Sequence, residues 1–408
     1  MTNVLASVTA LLVSVAILLV GHGLQLTLAP MYADSLGWTA QEIGYTGSAY
    51  FGGFVVGCLV VPTLVARVGH IRMFAVLAST ATAALLLLGL FESVVIWMIA
   101  RGMTGLAFAG LYMVIESWLN ERTTSQHRAT VLSIYVIITL IAICGGQLLV
   151  GLQLDFRGLI MLSAILLVVG MIPVGLTRSV APAPIPAISF KFREVYRASH
   201  VAVVGAFVGG LVTAGFWSLG PVVAKGFELD AAGVGVFMAS AIFGGAVAQL
   251  PLGRLSDRMD RRVVLAAIAM TGMVVNLGAF FLVDASRDLL YIVMFLYGGV
   301  TFPIYSLCLA HANDNTDLQL MEIASVILMT QSVGAVVGPL VVAALMAYSS
   351  SGLFLFAGVV LAIFTVWTLW RIRAHETERA YFEPYHGVPR TTHAATEIYA
   401  PELSDTEM

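Results

Sequence analysis

Charged residues are scarce in this sequence of 408 residues: they make up 11% of the chain, whereas hydrophobic residues make up 59% and the mean hydropathy is +0.95. A soluble domain carries roughly 25% charged residues, which cover the surface that faces water. The composition therefore excludes an ordinary soluble protein and indicates a chain that lies in a lipid bilayer. The net charge of −3 gives no reason to expect a nucleic-acid partner.

Lysine and cysteine are also rare, and nucleotide-binding motifs are missing. Lys191 and Lys225 are the only lysines, so arginine supplies nearly all of the positive charge. Cys58, Cys144 and Cys308 lie far apart in apolar segments, which favours buried thiols over a disulfide framework or a zinc site. No G-x-x-x-x-G-K-[ST] pattern occurs, so nothing indicates ATP binding. With no nucleophile–base pair apparent, we expect no enzyme, no cofactor and no metal.

Apolar runs of about 20 residues, long enough to cross the hydrocarbon core of a bilayer, alternate with short polar segments. The first run has no Lys or Arg before it and many similar runs after it, so we interpret it as a membrane helix rather than a cleaved signal peptide. The predicted fold class is an all-α membrane protein. The twelve predicted spans are 4–29, 41–66, 72–92, 94–119, 128–152, 157–177, 199–225, 231–253, 262–283, 288–311, 319–347 and 351–372.

The positive charges are divided unequally between the two sides that twelve spans define. Segments on the side of both termini hold sixteen of the twenty Lys and Arg residues, the opposite loops hold three, and Arg101 lies inside a span. Because cytoplasmic loops carry the excess of positive charge, both termini are predicted to be cytoplasmic, with the protein in the inner (cell) membrane. Loops after odd-numbered spans then form the predicted outer end of the molecule, and loops after even-numbered spans form the predicted inner end.

A proline-rich segment divides the chain into two halves. Residues 178–198 carry a Pro-x-Pro-x-Pro sequence and then a basic amphipathic stretch, which is typical of a semi-rigid spacer that lies on the membrane surface. We therefore predict a six-helix bundle over 1–177, a cytoplasmic linker over 178–198 and a second six-helix bundle over 199–373. The polar residues 374–408 are predicted to form a disordered cytoplasmic tail.

The two halves repeat each other in sequence. Offsets of 191, 193 and 192 residues align the second span with the eighth, the fourth with the tenth and the fifth with the eleventh. Parallel repeats of this kind bind substrate near the bilayer midplane, between the halves, and alternate access by rocking. The matched pairs are Leu64 and Leu255, Arg67 and Arg258, Gly105 and Gly298, Tyr112 and Tyr305, Asn120 and Asn313, Glu121 and Asp314, Gly146 and Gly338, and Leu148 and Leu340.

Three segments resemble motifs of the major facilitator superfamily. GRLSDRMDRR (253–262) is similar to its signature loop, G-x-L-a-D-r-x-G-r-k, with Asp260 in place of the usual Gly. RGMTGLAFAG (101–110) resembles its fourth-helix motif, and SVGAVVGPL (332–340) resembles its Gly-x-x-x-Gly-Pro element, here in the eleventh span. ESWLNE and AHANDN further resemble the YcaD-type branch. The resemblance covers about residues 5–373 and implies the major facilitator fold, twelve helices as two six-helix pseudo-repeats.

The signature loop predicts a gate at the inner end. Asp257 is expected to cap a helix N-terminus or to pair with Arg258 or Arg262, which would tie two helices together in one access state. The alternative is generic positive charge on the inner side. The predicted gate residues are Arg67, Gly253, Asp257, Arg258, Arg261, Arg262, Asn120, His311, Asn313 and Asp314.

The fourth span carries two charges on one helical face. Arg101, Gly105, Phe108, Tyr112 and Glu116 follow each other at steps of three or four residues and so share that face. Arg101 and Glu116 are about 22 Å apart along the axis, which is too far for a salt bridge. Ionisable residues in a span usually face the protein interior and mark a pathway or relay. The alternatives are an Arg101 that reaches the outer headgroups and a Glu116 bonded to loop groups at the helix end.

The resemblance implies that spans 1, 4, 7 and 10 line a central cavity, so their polar and aromatic residues become substrate candidates; packing in the core is the alternative for each aromatic. The predicted substrate or coupling residues are His22, Gln25, Arg101, Tyr112, Glu116, Trp217, Tyr297 and Tyr305, with Thr213, Ser218 and Thr301 as further lining residues. His22 can carry a proton or bind substrate, or can be a hydrogen-bonded structural residue.

The predicted function is secondary active transport of a small organic solute by alternating access, coupled to protons, in a protein that works as a monomer in the lipid bilayer. A drug/proton efflux antiporter is an alternative, disfavoured because the fifth span has GGQ (145–147) where such antiporters carry Gly-Pro. A riboflavin-like vitamin importer is another, favoured by the aromatic residues. A copper importer is less expected, because the seventh span lacks Met and has no His beyond His200 at its start, and the eighth has only Met238.

Overall fold

The computed structural model describes residues 2–123, 125–176, 190–282, 287–316 and 318–374. Over these ranges the chain is almost entirely helical, and twelve stretches are long and apolar enough to cross a membrane, as the sequence predicts. The α-helices are Thr2–Ser35, Ala40–Val68, His70–Leu90, Val94–Arg122, Ser125–Leu148, Phe156–Val169, Ile172–Gly175, Phe192–Ala198, His200–Gly226, Ala231–Ser256, Arg261–Leu282, Arg287–Thr301, Ile304–Asp314, Leu320–Met346 and Gly352–Ala374.

Two of the twelve spans are interrupted and one is longer than expected. The sixth span consists of Phe156–Val169 and Ile172–Gly175, and the tenth consists of Arg287–Thr301 and Ile304–Asp314, with Pro303 at the break. A proline lacks the N–H that a continuous helix needs, which accounts for a break at this position. Pro30 does not end the first helix where the sequence analysis placed its end, because the helix continues to Ser35.

The second and eighth spans begin with equivalent caps at the predicted outer end. Thr39 accepts a hydrogen bond from the Glu42 N–H at 3.3 Å, and the Glu42 carboxylate accepts one from the Thr39 N–H at 2.8 Å. Asp230, which is 191 residues further along, accepts a hydrogen bond from the Gly233 N–H at 2.9 Å. Such caps satisfy backbone donors that have no partner within the helix. Each half therefore fixes the start of the corresponding span in the same way.

Close helix packing repeats between the halves at glycine positions. A Cβ atom at Gly105 would collide with the carbonyl oxygen of Tyr50, so only glycine lets the fourth span approach the second this closely. A Cβ atom at Gly298 would likewise collide with the carbonyl oxygen of Ala241 on the eighth span. The two contacts are related by the offsets of 193 and 191 residues that the sequence repeat predicts. The structure thus confirms two six-helix pseudo-repeats and shows that they pack alike.

The two halves touch each other at the predicted outer end. The Lys225 ammonium lies 2.6 Å from the Asp34 carboxylate, which joins the end of the seventh span to the end of the first. Nearby, the Ser48 hydroxyl donates a hydrogen bond of 2.7 Å to the Val336 carbonyl, which joins the second span to the eleventh. Gly151 lies against Ala232, so the fifth and eighth spans also meet at this end. These contacts join the two halves on that side.

The linker between the halves is described only in part. Its Pro-x-Pro-x-Pro sequence and the tail from residue 375 lie outside the described residues. The basic part contains the short helix Phe192–Ala198, preceded by Lys191, whose ammonium lies 3.0 Å from the Glu322 carboxylate of the eleventh span. The hydrogen bond that the Lys191 ammonium donates to the Glu322 carboxylate raises the pKa of Lys191 above its usual value. This charged pair attaches the linker to the second half.

Candidate functional site

A cavity of about 200 Å³ lies between the two halves. The first, second, fourth and fifth spans line it from one half, and the seventh, eighth, tenth and eleventh line it from the other. Its walls are mainly apolar and aromatic, including Phe51, Phe54 and Phe302. The lining residues that carry a polar atom in the side chain are His22, Tyr50, Arg101, Tyr112, Thr139, Thr213, Trp217, Ser218, Gln249, Gln331 and Ser332.

Four side chains of the first half form a connected cluster at this cavity. The Arg101 guanidinium lies over the Tyr50 ring, 4.7 Å from its centroid. The Tyr50 hydroxyl is 3.4 Å from the Nε2 atom of His22, and the His22 ring stacks on Phe108 with ring centroids 3.5 Å apart. Because Gly105 lets the fourth span rest on the backbone of Tyr50, it brings Arg101 and Phe108 to this position. Residues from three spans therefore meet in one place.

Arg101 is the cationic group of the cavity wall, and it has no anionic partner among the described residues. Only 4% of its surface is exposed, and no described residue accepts a hydrogen bond from its guanidinium. The described residues that line the cavity include neither Asp nor Glu. A cation–π contact neutralises no charge and leaves the N–H donors of an arginine without acceptors. The wall of the first half consequently presents an uncompensated positive charge.

The wall contributed by the second half is aromatic and uncharged. Trp217 and Phe302 lie nearly parallel, with an interplanar angle of 13° and centroids 6.2 Å apart. The Thr213 hydroxyl and the Gln331 side-chain oxygen are buried without a hydrogen-bond partner among the described residues. The position equivalent to Arg101 at the offset of 193 is Met294, which is completely buried. The repeat is thus symmetric in packing and asymmetric in charge.

The predicted substrate residues divide into two groups. His22, Arg101, Tyr112 and Trp217 line the cavity, as do Thr213 and Ser218. The cavity lining does not include four residues expected from spans 1, 4, 7 and 10, namely Gln25, Tyr297, Thr301 and Tyr305. It also does not include Glu116, which was predicted from the charged face of the fourth span. A helical face is wider than a cavity, so residues on the correct span can still pack between helices.

Two of these placements have a direct structural reason. The Tyr297 hydroxyl donates a hydrogen bond of 2.9 Å to the carbonyl of Val212, which makes it part of the packing between the tenth and seventh spans. The Gln25 amide contacts the Thr104 hydroxyl at 3.5 Å and is fully buried between the first and fourth spans. Tyr305 and Thr301 are also buried, with 1% of their surface exposed.

Sequence reasoning missed Tyr50, Gln249 and Gln331, because it followed the resemblance to four spans only. All three line the cavity from the second, eighth and eleventh spans. The side-chain amides of Gln249 and Gln331 could have indicated a position at the cavity, since a polar amide in a membrane span usually faces protein rather than lipid. Tyr50 carried no comparable signal, because tyrosines are also frequent where a span meets the headgroups.

The signature loop forms a buried ion-pair cluster at the predicted inner end. Arg261 is fully buried, and its guanidinium lies 2.5 Å from the Asp314 carboxylate and 3.4 Å from that of Asp257. Arg262 pairs with Asp260 at 2.8 Å, and the Asp260 carboxylate also accepts a hydrogen bond from the Arg262 N–H at 2.9 Å. The cluster joins the ends of the eighth, ninth and tenth spans, all in the second half.

The loop contains pairings that the sequence analysis did not name. The Asp257 carboxylate pairs with Arg261, and the Asp260 carboxylate caps the start of the ninth span. Arg258 and Arg67 are exposed.

His311, another predicted gate residue, is buried beside Asn315, with its Nδ1 atom 3.1 Å from the Asn315 side-chain amide. Asn120 is buried at the corresponding end of the fourth span. Gly253 is buried, whereas Asn313 is partly exposed.

Glu116 lies apart from the cavity, in the contact region between the halves. It is buried, with 2% of its surface exposed. Three tyrosine hydroxyls are within electrostatic range of its carboxylate: those of Tyr112, Tyr135 and Tyr305. The first two belong to the first half and the third to the second half.

A family model described as Major Facilitator Superfamily matches residues 11–321 and 202–397. The chain belongs to the Major Facilitator Superfamily. This superfamily member is 28% identical over 349 residues to the uncharacterised MFS-type transporter YcaD of Salmonella arizonae, covering 84% of this chain and 90% of the relative. The resemblance to the YcaD-type branch is thereby confirmed, and the protein is a multi-pass membrane transporter.

Solved transporter structures share the same fold. A variant of the nucleoside transporter NupG superposes with a TM-score of 0.75 at 12% identity, covering 89% of this chain and 99% of that chain. A bacterial homolog of the human lysosomal transporter Spinster, in an inward-facing and unoccupied conformation, gives a TM-score of 0.73 at 12% identity, covering 92% and 99%. At these identities the similarity establishes the major facilitator fold and leaves the substrate to be argued from the cavity.

Proposed function

We propose that this protein is a secondary active transporter that moves a small organic solute across the inner (cell) membrane by alternating access. The observation that carries the proposal is the cavity between the two pseudo-repeats, lined by four spans of each half. Rocking of one half against the other would open such a cavity first to one side and then to the other. The contacts of Asp34 with Lys225 and of Ser48 with Val336 belong to the access state that is closed at the outer end.

The coupling ion in this proposal is the proton, and its binding residue is Glu116. A carboxylate buried within a span can exist in charged and neutral forms, and the charged form is costly in a medium of low dielectric constant. The tyrosines around Glu116 come from both halves, so a change in its charge alters the interaction energy between the halves. Proton binding would then bias the rocking equilibrium. The excess of Lys and Arg in the segments on the side of both termini supports cytoplasmic termini.

Uptake by proteoliposomes tests this function. Purified protein is reconstituted and supplied with a panel of radiolabelled aromatic, amphipathic and polar solutes, riboflavin among them, with and without a pH gradient. We expect accumulation of at least one solute to depend on the gradient and to be abolished by a protonophore. The direction of movement relative to the gradient distinguishes import from drug/proton efflux. If none of the solutes crosses the membrane faster than in protein-free liposomes, the proposed transport function is contradicted for these solute classes.

A pair of glutamate variants tests the coupling residue. Glu116→Gln keeps the size and hydrogen-bonding capacity of the side chain but fixes it in a neutral form. We expect this variant to retain exchange of solute down its concentration gradient and to lose accumulation driven by the pH gradient. Glu194→Gln, in the exposed helix of the linker, is the matched control and should behave as the parent does. Gradient-driven accumulation by Glu116→Gln at the parental level would show that coupling lies elsewhere.

A further inference from the structure

The cavity contains a charged donor for which no described residue supplies a counter-ion. An arginine side chain carries five N–H donors in a planar fork and stays charged at all physiological pH values. Arg101 is 96% buried, lines the cavity and donates to none of the described residues; its contact is with the face of Tyr50. An unpaired buried charge is strongly unfavourable, so natural proteins keep one in a span when it serves a ligand or a pathway.

The surroundings of Arg101 exclude the two ordinary explanations for such a residue. It does not reach the lipid headgroups, because it lies between spans at the cavity with only 4% of its surface exposed. It also forms no ion pair with any of the described residues. Glu116 is about 22 Å away along the same helix, given 1.5 Å of rise per residue. The carboxylate of Asp34, on the neighbouring first span, is bound to Lys225.

The opposite wall supplies a complementary surface for the rest of a ligand. Trp217 and Phe302 offer nearly parallel aromatic faces, and both line the cavity. Thr213 and Gln331 each carry a buried polar atom without a hydrogen-bond partner among the described residues, on the same wall. A ligand that filled the cavity would therefore meet a cation on one side, and aromatic rings with two neutral polar groups on the other.

We propose that the cavity binds a small planar organic monoanion, whose carboxylate pairs with the Arg101 guanidinium and whose ring lies against Trp217 and Phe302. Carboxylates match the fork of an arginine, and one guanidinium balances one negative charge. A dianion would bring a second charge into a cavity without a second described cation, and an amine would add to the existing positive charge. This inference names the substrate class for the proposed transport function and rests on it.

Equilibrium binding to the purified protein tests the charge of the ligand without a membrane or a gradient. Benzoate, 2-naphthoate and indole-3-acetate are titrated alongside the corresponding carboxamides and amines, and phenyl phosphate serves as the dianion. Affinities are measured by calorimetry and by the ligand-induced rise in Tm. We expect at least one carboxylate to bind the parent about tenfold or more tightly than its amide, since hydrogen bonds to charged groups are roughly twice as strong as neutral ones. The amines and phenyl phosphate should bind more weakly than the carboxylate.

Arginine variants assign the preference to Arg101. Arg101→Gln should lower the carboxylate affinity to that of the amide while the amide affinity changes little, and Arg101→Lys should retain part of the preference. Arg197→Gln removes one exposed arginine from the linker helix and should keep the full parental preference. Amide binding by Arg101→Gln also shows that the variant is folded.

Three results would overturn the proposal. They are a parent that binds none of the carboxylates, a parent that binds amides or amines as tightly as carboxylates, and an Arg101→Gln variant that keeps the carboxylate preference. The proposed transport function can fail separately. Carboxylate binding without any uptake in proteoliposomes would contradict transport, whereas gradient-driven uptake of a neutral or cationic solute would contradict the anion site and leave transport intact.

Discussion

The Arg101 guanidinium lies over the ring of Tyr50, 4.7 Å from its centroid. Tyr50 of the second span therefore contacts the cationic side chain that the fourth span places at the cavity. The ring stabilises the positive charge without neutralising it, because the attraction comes from the quadrupole of the ring. The arrangement keeps the guanidinium in place and leaves its donors available. Tyr50 is thus a positioning residue for Arg101, and this role can be tested.

Tyr50→Leu should weaken binding of the preferred carboxylate. A desolvated cation–π contact contributes about 2 kcal/mol, so its loss should reduce the affinity by up to about 30-fold. Tyr50→Phe keeps the ring and removes only the hydroxyl near His22, so its affinity should stay within about fivefold of the parental value. Calorimetric titration of both variants checks this. Equal losses for leucine and phenylalanine would show that the hydroxyl, instead of the ring, is what matters.

Gly105→Ala should destabilise the first half. Its Cβ atom would collide with the carbonyl oxygen of Tyr50, a backbone atom that cannot move aside without shifting a whole span. Overpacking of this kind costs about 1–3 kcal/mol, and the Tm in detergent should fall accordingly. Gly145→Ala is the matched control, because a Cβ atom at Gly145 would meet nothing within 4 Å. A Tm for Gly105→Ala equal to that of Gly145→Ala would contradict the packing argument.

Asp34→Asn should favour opening at the predicted outer end. The Asp34 and Lys225 side chains are each 30% exposed, so their pair is worth about 0.5–1 kcal/mol and its loss should shift the access equilibrium roughly two- to fivefold. A cysteine in place of Ser48, which is buried between the halves at this end, should then react faster with a membrane-impermeant maleimide.

Two comparisons in the same cysteine background control this experiment. Glu228→Gln removes an exposed carboxylate from the loop that follows the seventh span and should leave the labelling rate unchanged. The exchanged pair Asp34→Lys with Lys225→Asp should return the rate toward the parental value. An unchanged rate in Asp34→Asn would show that this ion pair does not hold the outer end closed.

Arg261→Gln should destabilise the second half more than any exposed arginine does. It leaves the Asp314 carboxylate, whose side chain is 4% exposed, without the guanidinium that it contacts at 2.5 Å. Removing one member of a buried ion pair costs about 3–5 kcal/mol. Arg258→Gln, in the same loop but exposed, should change the stability by less than about 0.5 kcal/mol. Thermal unfolding of both variants measures this difference, and equal Tm values for Arg261→Gln and Arg258→Gln would contradict a stabilising role for Arg261.

Much of the fold follows from local sequence properties. Span length and hydropathy depend on neighbouring residues, and the repeat depends on spacing, so all twelve spans and the two pseudo-repeats were predictable. The ion pairs of the signature loop were not predictable in this way. The choice between Arg258, Arg261 and Arg262 as the partner of Asp257 depends on how the eighth, ninth and tenth spans end in space, and Asp314 is 53 residues away from Arg261.

The sequence by itself determined that this chain crosses a membrane twelve times, that it repeats, and that Arg101 lies within a span. Only the tertiary structure decided that Arg101 meets Tyr50 and, within the described part of the chain, no carboxylate, and that Tyr297 packs against Val212 instead of facing the cavity. Hydropathy reports how far a residue lies from water, whereas pairing and exposure to a cavity depend on the rotation of each helix. That rotation is fixed by contacts between distant spans, such as Gly105 against Tyr50.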